Sequence, residues 1–241
     1  MTADRRAQLA ASLAEVRERI ARAALAAGRE PDSVTLVAIT KTYPASDVEL
    51  LAGLGVTDVG ENRDQEASAK VDLVRAAGVS LRWHYVGQLQ RNKAKSVVRY
   101  ADLVESVDSM RLAGALDDVA RRHREQPLDV LVQVSIDGDP ARGGALADAA
   151  DPDRDLWRIA DQVAKAEGLR LGGVMAVAPL DWAPDRAFAV LAELAGRLTL
   201  DHPTATAVSA GMSGDLEQAV KHGATHVRIG TSLLGMRKPL R

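Results

Sequence analysis

Apolar residues at Leu9, Leu13, Val16, Ile20, Ala24 and Ala27 recur every three or four positions, while Glu15/Arg19 and Glu18/Arg22 pair at i,i+4 on the opposite side. This spacing predicts an amphipathic N-terminal helix, stopped by Gly28 and Pro31. The period then changes. Residues 34–40 (VTLVAIT) form a short, β-branched run with little polar alternation, as expected of a parallel strand covered on both faces, and Lys41 stands at its carboxyl end. The same unit recurs along the chain. Strands are predicted over 57–60, 82–86, 103–106, 129–135, 171–176, 206–209 and 226–230, with helices between them over 45–54, 62–77, 93–100, 109–124, 156–167, 185–198 and 214–223.

Eight strands alternating with helices in a chain of 241 residues predict one (β/α)8 TIM-like barrel domain spanning 1–241, with an extra N-terminal helix. The competing fold is an open doubly wound sheet. Its GxGxxG fingerprint is missing between the first strand and helix, and GxxxxGK[ST] is missing as well. No Pro- or Ser-rich linker divides the chain, and the Gly/Asp/Ala-rich tract 137–155 after the fifth strand reads as a mobile loop.

Charge and composition narrow the function. Lys plus Arg total 31 against 33 Asp plus Glu, a net charge of −2, so there is no bulk attraction for nucleic acid or an anionic membrane. Cysteine is absent, which removes disulfide scaffolds, zinc ribbons, iron–sulfur clusters and thiol nucleophiles. Only 3 % of residues are aromatic, leaving few stacking platforms for bases. The basic N-terminus lacks an unbroken apolar stretch, and no apolar run approaches the ~20 residues that span a bilayer. The expectation is a soluble cytoplasmic protein.

In a barrel the carboxyl ends of the strands face the active site. Lys41, at the end of the first strand, would sit over a low-dielectric core where desolvation leaves part of its amine neutral and able to form a Schiff base with an aldehyde. The alternative is a lysine that simply reaches from a strand end into solvent. Two glycine–hydroxyl loops follow the seventh and eighth strands, SAGMSG at 209–214 and RIGTS at 228–232, where this fold usually binds phosphate. Together these features suggest a ligand bearing both an aldehyde and a phosphate.

The segments AITKTYP around Lys41, GENRDQE at 60–66, WHYVGQLQRNK at 83–93, GGVMAV at 172–177, SAGMSGD at 209–215 and VRIGTSLLG at 227–235 closely resemble the pyridoxal 5′-phosphate homeostasis protein family, which is related to the N-terminal barrel of alanine racemase. The resemblance implies pyridoxal 5′-phosphate as cofactor, held by Lys41 as an internal aldimine. It implies that Ser209, Met212, Ser213, Gly230 and Thr231 surround the phosphate and that Arg228 lies by the pyridine nitrogen. It also implies that Asn62 and His84 line the pocket near the ring, the alternative for His84 being a packed, hydrogen-bonded position clear of the ligand. Met175 reads as core. Ala210 stands where the family often has methionine, Tyr85 where it has phenylalanine and Gln88 where it has proline, changes of volume or turn that leave the lysine and phosphate residues intact. The basic stretch from Arg91 to Lys95 is either a solvated helix start or a surface site for a phosphate or partner protein.

The resemblance leaves a choice between a non-catalytic carrier, which buffers the cofactor or delivers it to apo pyridoxal enzymes, and an amino-acid racemase-like enzyme. A lysine-dependent aldolase is a third option. Six residues after Gly235 leave no room for the second domain from which alanine racemases draw a tyrosine base, and a guanidinium beside the pyridine nitrogen favours the unprotonated ring, a weaker electron sink. The carrier is therefore expected, as a monomer.

Overall fold

Leu9, Leu13, Val16, Ile20 and Ala24 are all buried along one face of the N-terminal helix α1 (Thr2–Ala26), which lies against the rest of the fold as its periodicity predicts. Gly28, at φ 69°, ends it, and Pro31 opens a short 3₁₀ turn into the first strand. The computed structural model describes residues 2–139 and 143–235.

After α1 the order is β1 (Thr35–Ile39), α2 (Ala45–Ala52), β2 (Asp58–Glu61), α3 (Asp64–Ala76), β3 (Arg82–Tyr85), α4 (Ala94–Tyr100), β4 (Leu103–Val107) and α5 (Met110–His123). It continues with β5 (Leu128–Gln133), α6 (Leu156–Lys165), β6 (Leu169–Met175), α7 (Pro184–Asp201), β7 (Ala207–Ser209), α8 (Leu216–Lys221), β8 (His226–Ile229) and α9 (Thr231–Leu234). Every strand pairs parallel with its sequence neighbour, and β1 pairs with β8, so the sheet closes into a (β/α)8 barrel. Side-chain oxygens start two of the helices: Ser109 accepts from the Leu112 N–H and Asp155 from the Arg158 N–H.

The period of two along each strand divides the two faces of the sheet. Ala38, Val59, Trp83, Tyr85, Val104, Val130, Val132, Val174, Val227 and Ile229 join the large core between sheet and helices. Leu103, Leu131 and Met175 form a small separate apolar cluster, while Asp58, His84, Glu105, Ser209 and Arg228, at alternate positions to the helix-facing residues, are buried and bonded to one another. Barrels usually fill this space with branched apolar residues. Here much of it is ionic.

Three departures from the sequence pattern have physical causes. Strand β6 begins two residues early, because Leu169 and Arg170 pair with Leu128 and Asp129 of β5, and it carries a bulge. Val130 faces Leu171 but Leu131 faces Gly173, so Gly172 is the additional residue. Gly173 sits at φ 146°, where a Cβ would lie 1.9 Å from the Ala207 carbonyl oxygen of β7. Gly173→Ala should therefore cost at least about 2 kcal/mol, read as a lowered thermal midpoint. An unchanged midpoint would show that β6 and β7 do not approach this closely. Second, the short helix α9 follows β8 after Gly230 alone, its four residues too few to show a period. Third, the second half of the 137–155 tract is tied down rather than loose. Ala145 is fully buried, its N–H donates to the Gln133 carbonyl and its carbonyl accepts from the Ser135 N–H, extending the β5 edge. Among the described residues no helix is long and apolar enough to cross a membrane.

Candidate functional site

Lys41 occupies the second position of a four-residue turn just beyond β1, closed by the Tyr43 N–H donating to the Thr40 carbonyl at 3.0 Å. Thr42, the third residue, has φ 69°, a left-handed value that type II turns normally give to glycine or asparagine. The turn is anchored beneath. The Thr40 hydroxyl donates to Glu61 at 2.6 Å, and buried Lys70 reaches the Thr40 carbonyl (2.8 Å), Glu61 (2.5 Å) and Glu66 (3.1 Å). Glu66 in turn accepts from the Thr42 N–H. Burial pushes the Glu61 carboxyl above the usual carboxylate range despite the pull of Lys70.

Opposite Lys41 stand the loops after β7 and β8. Gly211, at φ 89°, lets the first loop pass α8 where a Cβ would lie 2.6 Å from that of Ala219. The Ser213 hydroxyl accepts from the Ser232 N–H at 3.2 Å and so ties the two loops together, and Arg19 of α1 donates to the Ser213 carbonyl at 3.1 Å. The Tyr43 hydroxyl donates to the Gly235 carbonyl at 2.8 Å, joining the Lys41 turn to the end of α9.

These segments enclose a cavity of about 340 Å³ at the carboxyl end of the barrel. Lys41, Tyr43, Met212, Ser213, Gly214, Arg228, Gly230, Thr231 and Gly235 line it, with Ile39, Val86, Met175 and Val177 as the apolar part. No carboxylate is among the described lining residues, so an anionic ligand meets no like charge there, and Lys41 and Arg228 supply cations. Arg228 Nη1 donates to Ser209 Oγ at 2.7 Å and Nη2 to the Ala176 carbonyl at 2.8 Å, which fixes the guanidinium.

Below Arg228 the polar chain continues into the barrel. Ser209 Oγ donates to Glu105 Oε2 at 2.6 Å, Glu105 Oε1 meets His84 Nδ1 at 2.6 Å, and His84 Nε2 meets Asp58 Oδ1 at 2.9 Å. Burial alone would raise the Glu105 carboxyl, but His84, Arg228 and Ser209 outweigh it and hold it at about 2. Burial likewise pulls His84 down, yet hydrogen bonds to Asp58 and Glu105 leave it raised. Arg228 is lowered by its burial, against the pull of Glu105. Counting Asp58 and Glu105 as anions and His84 and Arg228 as cations, the chain is neutral as a whole.

The residues anticipated from the sequence thus separate into two sets. Lys41, Met212, Ser213, Arg228, Gly230 and Thr231 meet around one cavity. Ser209 and His84 lie below it in the buried chain, and Asn62 is not among the lining residues. Met175 is both core and lining, since it is 2 % exposed but faces the cavity. The stretch from Arg91 to Lys95 forms a 3₁₀ turn running into α4, away from the lining residues, with Lys93 3.8 Å from Asp64. Tyr43, Val86, Val177 and Gly235 are not named from the sequence as lining residues, nor Asp58 as a support, and Glu105 is noted there only as a strand-end residue on the side of the site. The signal for the supports was present: an acidic or imidazole side chain sits inside each of the short strands DVGE, RWHY and LVESV.

Comparison with known proteins places this geometry in context. The family described as "Alanine racemase, N-terminal domain" matches residues 11–238. The "Pyridoxal phosphate homeostasis protein" of Mycobacterium tuberculosis is 48 % identical over 250 residues, covering 98 % of this chain and 95 % of the relative. The protein of the same name from Escherichia coli K12 is 36 % identical, with coverage of 95 % and 97 %. Among solved structures, PipY of Synechococcus elongatus PCC7942 with PLP bound has a TM-score of 0.79 at 33 % identity and covers 95 % of this chain and 100 % of its own.

Proposed function

Because this chain belongs to the pyridoxal phosphate homeostasis protein family, we propose that it binds pyridoxal phosphate in the cavity at the carboxyl end of the barrel and attaches it reversibly to Lys41, to buffer the cofactor or deliver it to apo pyridoxal enzymes. The observation that carries this reading is the meeting of one lysine amine, two hydroxyls (Ser213 and Thr231) and a fixed guanidinium (Arg228) around a cavity lined by no carboxylate among the described residues. That donor set fits the cofactor. Lys41 suits its aldehyde, the joined Ser213 and Thr231 loops its phosphate dianion, and Arg228, which only donates, its ring nitrogen. When bound, pyridoxal phosphate supplies an aldehyde with which an amine condenses reversibly, one water leaving as the carbon–nitrogen bond forms.

The residues of this chain then have separate tasks. Ser213 and Thr231 supply the hydroxyls of the joined loops, while Ser209 and the Ala176 carbonyl hold Arg228 in one orientation. Beside a ring nitrogen a guanidinium favours the unprotonated form, which weakens the ring as an electron sink and suits storage better than carbanion chemistry. Hydrogen bonds to a charged group are worth roughly 1.5–3 kcal/mol each, so Ser213→Ala and Thr231→Val should each weaken binding about ten- to a hundredfold with little change in folding stability. Equilibrium dialysis that finds unchanged affinity in the double variant would place the phosphate elsewhere.

A second reading, an amino-acid racemase, is favoured by Tyr43, a second side chain with an exchangeable proton that shares the cavity with Lys41. One set of assays on the loaded protein decides. Incubation with L- and D-alanine followed by chiral analysis should show no racemisation above background, and an apo pyridoxal enzyme should regain activity. Reactivation that survives a pyridoxal phosphatase indicates hand-over by contact, whereas reactivation that disappears indicates a buffer. Enzyme-like turnover of alanine would overturn the carrier reading.

A further inference from the structure

Glu61, Glu66 and Lys70 form an ionic cluster that does not line the cavity, yet holds both neighbours of Lys41. Lys70 and Glu61 take the Thr40 side, through its carbonyl and its hydroxyl. Glu66 takes the Thr42 side, through the Thr42 N–H. The last contact opposes a real cost. Thr42 is β-branched and exposed, at φ 69°. Left-handed backbone disfavours such a residue by roughly tenfold, and the exposed side chain has little packing to offset it. The turn is therefore kept in this form by the acceptor facing its amide, and that acceptor is itself oriented by Lys70 one helical turn along α3.

We propose that Glu66 is the positioning residue for Lys41: by accepting the Thr42 N–H it holds the left-handed turn that presents the lysine to the cavity. The proposal rests on the reading of Lys41 as the cofactor-binding lysine. It gives a physical reason for two acidic residues of the GENRDQE segment, Glu61 and Glu66, both of which support the turn from outside the cavity. It also separates Glu66 from a residue that merely stabilises the fold. A structural contact is not replaced by a glycine elsewhere, but a strained turn is, because glycine adopts positive φ without penalty.

The test compares wild type, Glu66→Ala and the double variant Glu66→Ala/Thr42→Gly in pyridoxal phosphate titrations with borohydride trapping, hydrogen exchange of the Thr42 amide, and thermal midpoints. Glu66→Ala should lose amide protection and bind about tenfold more weakly. The double variant should recover to within about threefold of wild type while its amide stays unprotected, because the turn is restored without the acceptor. Glu66→Gln, which keeps an acceptor oxygen, should bind nearly as wild type and serves if the alanine variant does not fold. Wild-type affinity in Glu66→Ala, or a folded double variant that binds no better than the single one, would overturn the proposal. If wild type itself traps no cofactor at Lys41, the function proposed above fails instead. Competitive acylation of Lys41 with acetic anhydride then decides the present point: a reactivity changed in Glu66→Ala and restored in the double variant upholds it, and equal reactivity in all three overturns it.

Discussion

Glu105→Ala is expected to destabilise the fold by about 3–5 kcal/mol, because it removes the anion shared by two buried cations. Glu105 is fully buried, bonded to His84 and Ser209 at 2.6 Å each and 3.8 Å from Arg228. Without it His84 keeps only Asp58, Arg228 loses its nearest counter-charge, and the Ser209 hydroxyl loses its acceptor. Glu105→Gln should cost less, since an acceptor remains. The pH dependence gives a sharper signature. The folded carboxyl, held at about 2, lies below its ordinary 4.5, so its contribution is present above pH 4.5 and is lost as pH falls from there toward 2. Asp58, also lowered against its burial by His84 and Thr57, acts in the same direction. His84 is raised above 6.5, so its contribution is complete below that pH and is lost as pH rises through its folded value. The two carboxylates therefore make stability fall as pH drops below about 4.5 and His84 makes it fall as pH rises above 6.5, while His226, lowered by its burial beside His84, works against His84 by making stability fall as pH drops below 6.5. Urea unfolding between about pH 2 and 7 should show the wild-type advantage over Glu105→Ala shrinking below pH 4.5. A difference that stays constant down to pH 2 would mean that Glu105 is not held as an anion by these partners.

The barrel was legible because its signals are local. β-branched runs, helix periods and Gly or Pro stops each need only a few neighbours, and the resulting alternation points to a parallel sheet, with eight strands and the missing nucleotide-binding fingerprints favouring the closed form. Lys41, Ser213, Arg228 and Thr231 were legible for the same reason: once strand ends are known, the fold brings those ends to one face. What escaped depends on side-chain direction or on distant pairing. His84 stands on the inward face of β3, and while a packed, hydrogen-bonded position was one of its two readings, its partners Asp58 and Glu105 on the two neighbouring strands appear only once those strands are paired. Tyr43 enters the cavity through its bond to Gly235, 192 positions away, and no local pattern announces that contact. The strained Thr42 was hidden in another way, since a threonine in sequence gives no sign of the glycine-like conformation imposed on it by Glu66.

The fold and the site also differ in what each demands of the same segment, and Lys41→Ala separates them. Lys41 is partly exposed in a turn whose closing bond and anchors belong to Thr40, Thr42 and Tyr43, so alanine should leave the thermal midpoint within about 2 °C of wild type. Binding should respond very differently. The borohydride-reducible attachment should vanish, and the affinity left to Ser213, Thr231 and Arg228 should fall by about a hundredfold or more, equivalent to about 3 kcal/mol. Lys70, the nearby buried lysine, is a poor substitute: its side chain is 5 % exposed and its ammonium is engaged with the Thr40 carbonyl, Glu61 and Glu66. An attachment that persisted in Lys41→Ala and mapped to another lysine would therefore move the site out of this cavity. A variant that lost attachment only by unfolding would show Lys41 to be a structural residue. Retained fold with lost attachment and weak residual binding is the outcome expected if the turn exists to present the lysine and the two loops opposite exist to hold the phosphate.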